Sequence, residues 1–384
     1  MDSIFQYNKP VTGKQFLGRK AELGAFANLL GRGENVVIYE PARTGRRSLV
    51  QQGLFNMKSA GQRFVPVQLT LLEVRTLSGF ALRLASSALR ALGNGPADFA
   101  RLVGEYLAGT HFVFDGARYD ACGEFLSVSQ LDDEDLRAAC LLPYRIGRKT
   151  GERRIVVIDE FQNILLTEDG EHACELLETV FKTLPEELAG GASYVFLGSQ
   201  VNAMHWIFGV RRYFWHQAER IRISPIDAKE ILEYVVRGFL STGKVIDRDL
   251  LLGVCRLFRG NIWYINHFSA ICDSLTRGYI MEPTLNDALN CMIAIHEARF
   301  VATMNDLTTF QVNLLRAILE GHKRFSSAEV IKQYGLNSSA NVRRLKDALC
   351  KKEIVTFDED DNPELLDPLF EYWVRKYYFN LNFE

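Results

Sequence analysis

The stretch RRIVVIDEFQNI, residues 153–164, decides the fold of this chain. Residues 155–158 are four consecutive apolar residues, a run typical of a short strand buried on both faces within a parallel sheet. Asp159 and Glu160 follow directly. An acid pair at the end of a buried strand is typical of a catalytic site, so we take this segment as the carboxylate strand of an α/β protein.

A second candidate segment lies upstream and reads VVIYEPARTGRRSLV over residues 36–50. A β-branched run, a loop and a helix-like stretch follow one another there, which is the arrangement of a phosphate-binding loop with the pattern G-x-x-x-x-G-K-[ST]. At the four pattern positions the chain has Glu40, Gly45, Arg46 and Arg47, so only the second glycine is present. The strand therefore predicts a nucleoside triphosphatase, whereas the loop predicts altered chemistry.

The three replacements act on different parts of the chemistry. Glu40 places a negative charge beside a polyanion site, Arg46 is longer and planar where a compact lysine belongs, and Arg47 cannot ligate magnesium. Shifting the register to recruit Ser48 would break the spacing from Gly45. A lost charged hydrogen bond costs roughly 1.5 to 3 kcal/mol, and the added carboxylate roughly 1 to 4 kcal/mol. We expect weak ATP binding with little need for magnesium; a nucleotide-free loop, plugged by a Glu40–Arg46 ion pair, is the alternative.

Composition limits the other classes of function. The 384 residues are 47% hydrophobic, which fits roughly two or three globular domains, and a net charge of −2 gives no overall attraction to nucleic acid or to anionic membranes. Seven scattered cysteines without a C-x-x-C pair favour buried thiols over disulfides or zinc. The histidines show no ligand spacing, so no metal site is predicted. We expect a soluble cytoplasmic protein with no membrane segment.

The order of predicted elements indicates three parts. Up to residue 225, strands alternate with helices, which predicts a doubly wound parallel sheet of the P-loop NTPase type. From 226 to 305 helices dominate and form a lid-like subdomain. From 306 to 384, three helices and two short strands around Val355 and Leu365 predict a winged helix-turn-helix. The expected strands of the sheet are 35–39, 64–69, 155–158, 193–197 and 221–226.

An ordered set of motifs carries a resemblance to a known family. The motifs are FLGRKAEL (16–23), the phosphate loop, VVIDEFQ (156–162), FLGSQ (196–200), GNIWYIN (260–266) and LLDPLFEYWVRKYY (365–378). In this order, and over essentially the whole chain, they resemble the archaeal-type ATPase family. These are AAA+-like P-loop NTPases of the STAND group with a C-terminal winged helix, here with a degenerate phosphate loop.

The resemblance implies roles for individual residues. Asp159 would orient a magnesium-bound water, Glu160 would polarise the attacking water, and Ser199 or Gln200 would sense the γ-phosphate. Segment 260–264 lies where related proteins contact nucleotide. A structural alternative stays open for the acid pair, which could cap the following turn or pair with Arg43, and for Ser199 and Gln200 as a satisfied strand end. The expected nucleotide-binding residues are Gly18, Arg19, Glu40, Arg43, Thr44, Gly45, Arg46, Arg47, Ser48, Ser199 and Gln200.

Two further segments concern partners. The presumed recognition helix carries Arg343, Arg344 and Lys346, which could contact DNA phosphates, but the acidic turn 358–361 would repel DNA, so a protein partner is slightly favoured. Arg211, Arg212 and Arg220 stand where an arginine finger of an oligomer would be needed, and a solvated basic turn is the favoured interpretation. The oligomeric state stays open.

The function predicted from the sequence is a regulatory AAA+/STAND-like ATP-binding protein with weak or absent hydrolysis. A nucleotide-free pseudo-ATPase scaffold, binding protein or DNA through the winged helix, is the alternative. Competent turnover is the third hypothesis.

Overall fold

The computed structural model describes residues 4–381 and divides into two compact units. The sheet unit comprises residues 20–40 and 49–223. Among the described residues, the C-terminal unit comprises 4–19, the loop 41–48 and 224–381. The phosphate loop is therefore grouped with the C-terminal unit, although it directly follows a strand of the sheet.

Seven strands belong to the sheet unit, and five of them form one parallel sheet in the order β2-β5-β6-β1-β7. The other two, β3 and β4, pair as an antiparallel hairpin. The strands are β1 (Asn35–Tyr39), β2 (Phe64–Thr70), β3 (Phe112–Phe114), β4 (Leu126–Val128), β5 (Arg153–Asp159), β6 (Ala192–Gly198) and β7 (Ala218–Arg220). Residues of β1, β6 and most of β5 are buried, as their continuous apolar runs predict.

Eight helices accompany this sheet, and the polar residues at their starts explain several boundaries. The acidic run 132–135 forms a capping box, in which Asp132 and Asp135 each accept the other's backbone N–H. The sixth helix therefore begins at Asp133. The helices are α1 (Lys20–Gly31), α2 (Arg46–Ser59), α3 (Leu77–Arg90), α4 (Pro96–Tyr106), α5 (Gly116–Cys122), α6 (Asp133–Thr150), α7 (Gly170–Lys182) and α8 (Val201–His205).

The predicted strand 221–226 is wrong, because the fifth strand of the sheet is β7, which lies earlier in the chain. One further ladder bond joins Ile221 N–H to the carbonyl of Val37 at 3.0 Å. Beyond it, the Ile223 N–H donates to the side chain of Glu40 at 3.2 Å, and Pro225 has no N–H to donate. The backbone stays extended but leaves the ladder.

The C-terminal unit is mainly helical and has one continuous apolar core. Phe300 of the long lid helix packs on Phe370 and Trp373 of the last helix, with each pair of ring centroids 5.6 Å apart. The core thus crosses the predicted boundary at 305–306, and the predicted domain bounds stay predictions. The helices are α9 (Ala228–Ser241), α10 (Arg248–Leu257), α11 (Ile262–Leu275), α12 (Glu282–Asn305), α13 (Thr309–Leu319), α14 (Ala328–Tyr334), α15 (Ser339–Lys351) and α16 (Pro368–Trp373).

Four short strands complete this unit. β10 (Val355–Phe357) and β11 (Pro363–Leu365) form the antiparallel hairpin expected of a wing. β8 (Val245–Ile246) and β9 (Tyr279–Ile280) form a small parallel pair within the helical region, where no strand was predicted. Over residues 4–381, no helix is both long and apolar enough to span a membrane.

The close approach of Gly147 to Gly191 in the sheet unit leads to a prediction about stability. A Cβ added at Gly147 of α6 would lie 1.9 Å from the carbonyl oxygen of Gly191, a backbone atom that cannot rotate away. We expect Gly147→Ala to lower the free energy of unfolding by about 3 kcal/mol. Gly104→Ala on α4, where a Cβ meets nothing within 4 Å, is the control and should stabilise by up to about 1 kcal/mol. Equal urea midpoints for the two variants would contradict this packing.

Candidate functional site

Two side chains of the phosphate loop form hydrogen bonds to the loop's own backbone. Thr44 Oγ1 and Arg46 Nη1 both donate to the carbonyl oxygen of Pro41, each at 2.9 Å. Gly45 has a φ of 91°, which favours glycine, and Arg43 has a φ of 73°. Arg46, at the position of the pattern lysine, is 7% exposed, so its guanidinium lies against the loop's own backbone.

The FLGR segment lies against this loop. Arg19 donates through Nη2 to the Thr44 carbonyl at 2.8 Å and through Nη1 to the Ser224 carbonyl at 2.9 Å. Gly18 has a φ of 66°, and a Cβ there would lie 3.1 Å from Glu230 Oε2. Only glycine therefore fits this turn without displacing a neighbour.

The last two loop positions differ in their surroundings. Arg47 is exposed at the start of α2, whereas Ser48 Oγ accepts the backbone N–H of Val11 at 3.1 Å. The hydroxyl that a shifted register would offer to magnesium thus already serves as an acceptor for the N-terminal segment. Neither side chain matches the Ser/Thr ligand of an intact loop.

Glu40, at the first pattern position, has a structural role in the sheet unit. Its carboxylate accepts the Ile223 N–H and lies 3.8 Å from Arg220 Nη2. The Arg220 guanidinium in turn stacks on the ring of Tyr39, 3.7 Å from the centroid. Burial lowers the pKa of Arg220, an effect that the charge of Glu40 opposes. The residue that departs from the glycine pattern therefore supports the chain segment after β7.

The acid pair lies at the carboxyl end of β5, in the sheet unit. Glu160 has a φ of 54°, and its Oε2 accepts Ser199 Oγ at 2.5 Å and Gln162 Nε2 at 2.7 Å. Asp159 Oδ1 accepts the Glu160 N–H at 3.0 Å. The structure thus brings three predicted residues, Asp159, Glu160 and Ser199, together and adds Gln162, which sequence reasoning passed over although it lies in the DEFQ motif. Gln200 is exposed and starts α8 without a side-chain cap.

A charged network around Arg43, within the C-terminal unit, was missed by sequence reasoning. Arg43 donates through Nη1 to Tyr264 Oη at 2.8 Å, and its guanidinium lies 4.3 Å from the Trp263 ring centroid. Tyr264 Oη donates to Asp367 Oδ1 at 2.6 Å, and Arg299 Nη2 donates to Asp367 Oδ2 at 2.8 Å. The motifs GNIWYIN and LLDPLFEYWVRKYY are therefore joined to the phosphate loop through side chains.

The Asp367 carboxylate is the centre of this network. It also accepts the backbone N–H groups of Leu369 and Phe370 and so caps α16. Burial alone would raise the pKa of Asp367, but the Arg299 charge, the Tyr264 hydroxyl and the backbone donors lower it overall. The carboxylate therefore stays ionised at neutral pH.

Two histidines pack beside Arg43. The ring of His267 stacks on the ring of Tyr7, with 4.2 Å between the ring centroids, and its centroid lies 5.7 Å from that of His296. Burial lowers the pKa of each to about 4, and the nearby Arg43 charge adds to the effect. Both are neutral at pH 7, and the network has no cationic imidazole.

The basic residues of the winged helix have different environments. Arg343 and Arg344 are exposed on α15. Lys346 forms an ion pair with Asp361 of the wing, and its ammonium lies 4.9 Å from the Phe357 ring centroid. Lys346 therefore joins α15 to the wing, and the predicted DNA contact rests on the two arginines.

The arginines considered for an oligomer contact have partners within the sheet unit. Arg211 donates to Glu171 Oε2 at 2.8 Å, and Arg212 lies 4.9 Å from the ring centroid of Trp215, which is 53% exposed. Arg220 packs on Tyr39. These contacts agree with the interpretation as a basic turn.

Within the described residues, one group has the spacing of metal ligands: His111, Asp132 and Asp135, with ligand atoms within 4.8 Å of one another. Asp132 and Asp135 are the capping box of α6, and His111 donates its backbone N–H to Asp135 at 2.8 Å. The hydrogen bond and charge of Asp135 raise the pKa of His111. Helix capping accounts for this cluster.

Comparison with known proteins bears on both units. Residues 298–376 match the family model described as "Probable winged helix domain". A sequence comparison with curated proteins finds no match. Among solved structures, the Walker-type ATPase PABY2304 of Pyrococcus abyssi is similar with a TM-score of 0.64 at 15% identity, covering 97% of this chain and 99% of the other. The chain has the fold of the Walker-type ATPases.

Two other structures with this fold come from Aeropyrum pernix. The ORC2 protein, solved in ADPNP–ADP complexes, has a TM-score of 0.54 at 14% identity and covers 95% of this chain and 93% of its own. The ORC1 protein in complex with DNA has a TM-score of 0.50 at 14% identity and covers 98% and 96%. The predicted fold class is confirmed, as is the structural likeness to archaeal ATPases; the degenerate phosphate loop stays a prediction.

The buried His267 makes stability depend on pH. Because the folded state holds the pKa of His267 near 4 against an ordinary 6.5, the unfolded chain takes up the proton first as the pH falls. We expect the contribution of His267 to stability to decline from about pH 6.5 and to level off below about pH 4, a loss of about 3 kcal/mol. His267→Phe keeps a ring on Tyr7 but cannot titrate, so its melting temperature should fall less between pH 7 and pH 4. Parallel profiles for the two proteins would contradict the assignment.

Proposed function

We propose that this chain is a regulatory AAA+/STAND-like nucleotide-binding protein that binds ATP weakly and hydrolyses it very slowly or not at all. The observation that carries the proposal is the position of Arg46. At the lysine position of the loop it is buried and donates to the Pro41 carbonyl, so its guanidinium supports the loop backbone. The fold supports nucleotide binding, and the side chains of the loop argue against turnover.

The features that would attract phosphate are those that survive in the loop. α2 has 14 residues, and the positive end of its dipole together with the exposed Arg47 favours an anion. Magnesium has no such support, because Arg47 replaces its hydroxyl ligand and Ser48 Oγ accepts from Val11. ATP is therefore the proposed cofactor, bound without a requirement for magnesium.

Hydrolysis would depend on Asp159 and Glu160, for which we propose at most residual activity. The Glu160 carboxylate oxygen Oε2 already accepts two hydrogen bonds, from Ser199 and Gln162. These two bonds orient the carboxylate and occupy the oxygen Oε2 as an acceptor. This arrangement, together with the missing magnesium ligand, favours a binding role over catalysis.

Thermal unfolding with ATP tests the proposed function. A ligand that binds the native state raises the melting temperature by an amount that grows with the logarithm of its excess over Kd. Millimolar ATP should therefore give a clear upward shift that is the same with and without magnesium. Arg47→Ala should reduce this shift. Phosphate release should stay at the level of the buffer.

The control for this experiment is Arg63→Ala, which removes the same charge from another exposed arginine and should keep the shift. Absence of a shift with ATP would overturn the proposal in favour of the scaffold alternative. A shift that requires magnesium, together with phosphate release, would instead support competent turnover.

A second candidate function is a nucleotide-free scaffold that binds a partner through the winged helix. The exposed Arg343 and Arg344 on α15 favour it, and the similar ORC1 protein was solved in complex with DNA. The acidic wing turn, with Asp358 and Asp361, opposes DNA at the place where a wing approaches the backbone. We therefore propose a protein partner first and DNA second, in the cytoplasm.

Duplex DNA binding distinguishes these partners. If the α15 arginines contact phosphates, Arg343→Ala/Arg344→Ala should weaken binding to all sequences alike and lower the salt slope by about 2, since each contact contributes about 0.9. Arg248→Ala/Arg256→Ala removes two exposed charges from α10 and is the matched control. Fluorescence anisotropy measures the affinities. Equal DNA affinities for the two double variants would show that α15 does not contact DNA.

A further inference from the structure

We propose that Asp367 competes with nucleotide phosphate for Arg43 and so links the state of the phosphate loop to the winged helix. The inference rests on the proposed function, because it concerns the regulation of the same loop. Four side chains form the device, which we call the Arg43 latch: Arg43, Tyr264, Arg299 and Asp367. All four belong to the C-terminal unit.

The first argument concerns the conformation of Arg43. A φ of 73° is uncommon for a residue other than glycine and is retained only where the surroundings hold it. Here the guanidinium lies 4.3 Å from the Trp263 ring centroid and donates to Tyr264 Oη at 2.8 Å. Arg43 occupies one of the four variable positions of the loop pattern, where backbone N–H groups face phosphate in an intact loop. Its contacts with α11 therefore determine the conformation of a segment that would bind phosphate.

The second argument concerns the anion that Arg43 faces. Asp367 Oδ2 lies 4.0 Å from Arg43 Nη1, and the same carboxylate receives Tyr264 Oη at 2.6 Å and Arg299 Nη2 at 2.8 Å. Hydroxyl, guanidinium and backbone N–H donors around one anion are also the donor types that bind phosphate. Asp367 thus offers these groups an anionic oxygen of the kind that a phosphate would offer.

The third argument concerns which contact is exchangeable. The 4.0 Å ion pair of Arg43 is looser than the 2.8 Å bond from Arg299, and Asp367 keeps Tyr264, Arg299 and two backbone donors when Arg43 leaves. A phosphate carries more charge than the carboxylate and can draw Arg43 away. The carboxylate lowers the affinity for phosphate, and by linkage phosphate weakens the connection to Asp367 at the start of α16.

Because Asp367 lies between β11 and α16, the consequence extends to the winged helix. Release of Arg43 removes a cation from the network that caps α16, whose Phe370 and Trp373 pack on Phe300. Nucleotide binding to the loop would then change the contacts of α16 in the winged helix, the domain that carries the proposed partner surface.

ATP affinity of the Asp367→Asn variant tests the latch. Asparagine retains the N-cap of α16 but not the negative charge, so we expect ATP to bind about five- to tenfold more tightly than to the wild type. Asp361→Asn, which removes a carboxylate that pairs with Lys346 in the same domain, is the control and should bind ATP as the wild type does. Isothermal titration calorimetry gives the constants, and circular dichroism verifies the folding of each variant.

Tyr264→Phe is a second variant that keeps the ring and removes the hydroxyl between Arg43 and Asp367, and it too should bind ATP more tightly. Trp263 supplies a readout other than affinity: ATP should change its fluorescence as the guanidinium leaves the ring, and Trp263→Phe should abolish that change. ATP affinities of Asp367→Asn and Tyr264→Phe equal to that of the control would overturn the latch alone. Failure of every variant to bind millimolar ATP would overturn the proposed function and the latch with it.

Discussion

The parallel pairing of β5 with β2 on one side and β6 on the other is the constraint on which the sheet unit depends. The backbone of β5 is paired along both edges, and its central residues 155–158 are buried, which requires apolar side chains between the arginines at its start and the acid pair at its end. Polar chemistry can begin only at Asp159 and Glu160. Ser199, directly after β6, lies at the same edge for the same reason, which explains its hydrogen bond to Glu160.

The arginines of the loop show how a nucleotide-site sequence can change while its fold persists. Two of the residues that differ from the pattern make contacts within the protein. Glu40 accepts the Ile223 N–H and lies near Arg220, and Arg46 donates to the Pro41 carbonyl. A guanidinium satisfies backbone carbonyls well because its donors form a planar fork. Arg46 thus supports the loop backbone with a cationic side chain at the position from which an intact loop directs a lysine at phosphate. The backbone of the loop is therefore supported although its side chains differ from the pattern.

In the C-terminal unit, apolar packing and the Arg43 network act together. The core continues from the lid helices into the winged helix, so α12 and α16 share Phe300 as a common contact. At the polar margin of that core, Asp367 stays charged because Arg299 and Tyr264 compensate for its burial. A half-buried carboxylate that accepts bonds from several donors fixes the geometry of the segments that carry them. This makes Asp367 a sensitive point for the whole unit.

The sequence alone determined the parallel sheet, the helical region and the winged helix, because apolar periodicity and strand length are local properties of the chain. It also determined that the acid pair ends a strand and that Glu40, Arg46 and Arg47 occupy the loop pattern, since that pattern is a matter of spacing. Tertiary structure alone decided that the edge strand is Ala218–Arg220. After it, the Ile223 N–H bonds to the Glu40 side chain and not to the backbone of β1. Tertiary structure alone also decided the joining of Arg43 to Asp367, and of Lys346 to Asp361. The physical reason is that a charged side chain has no preferred partner in sequence: it pairs with the opposite charge that the folded backbone brings near it.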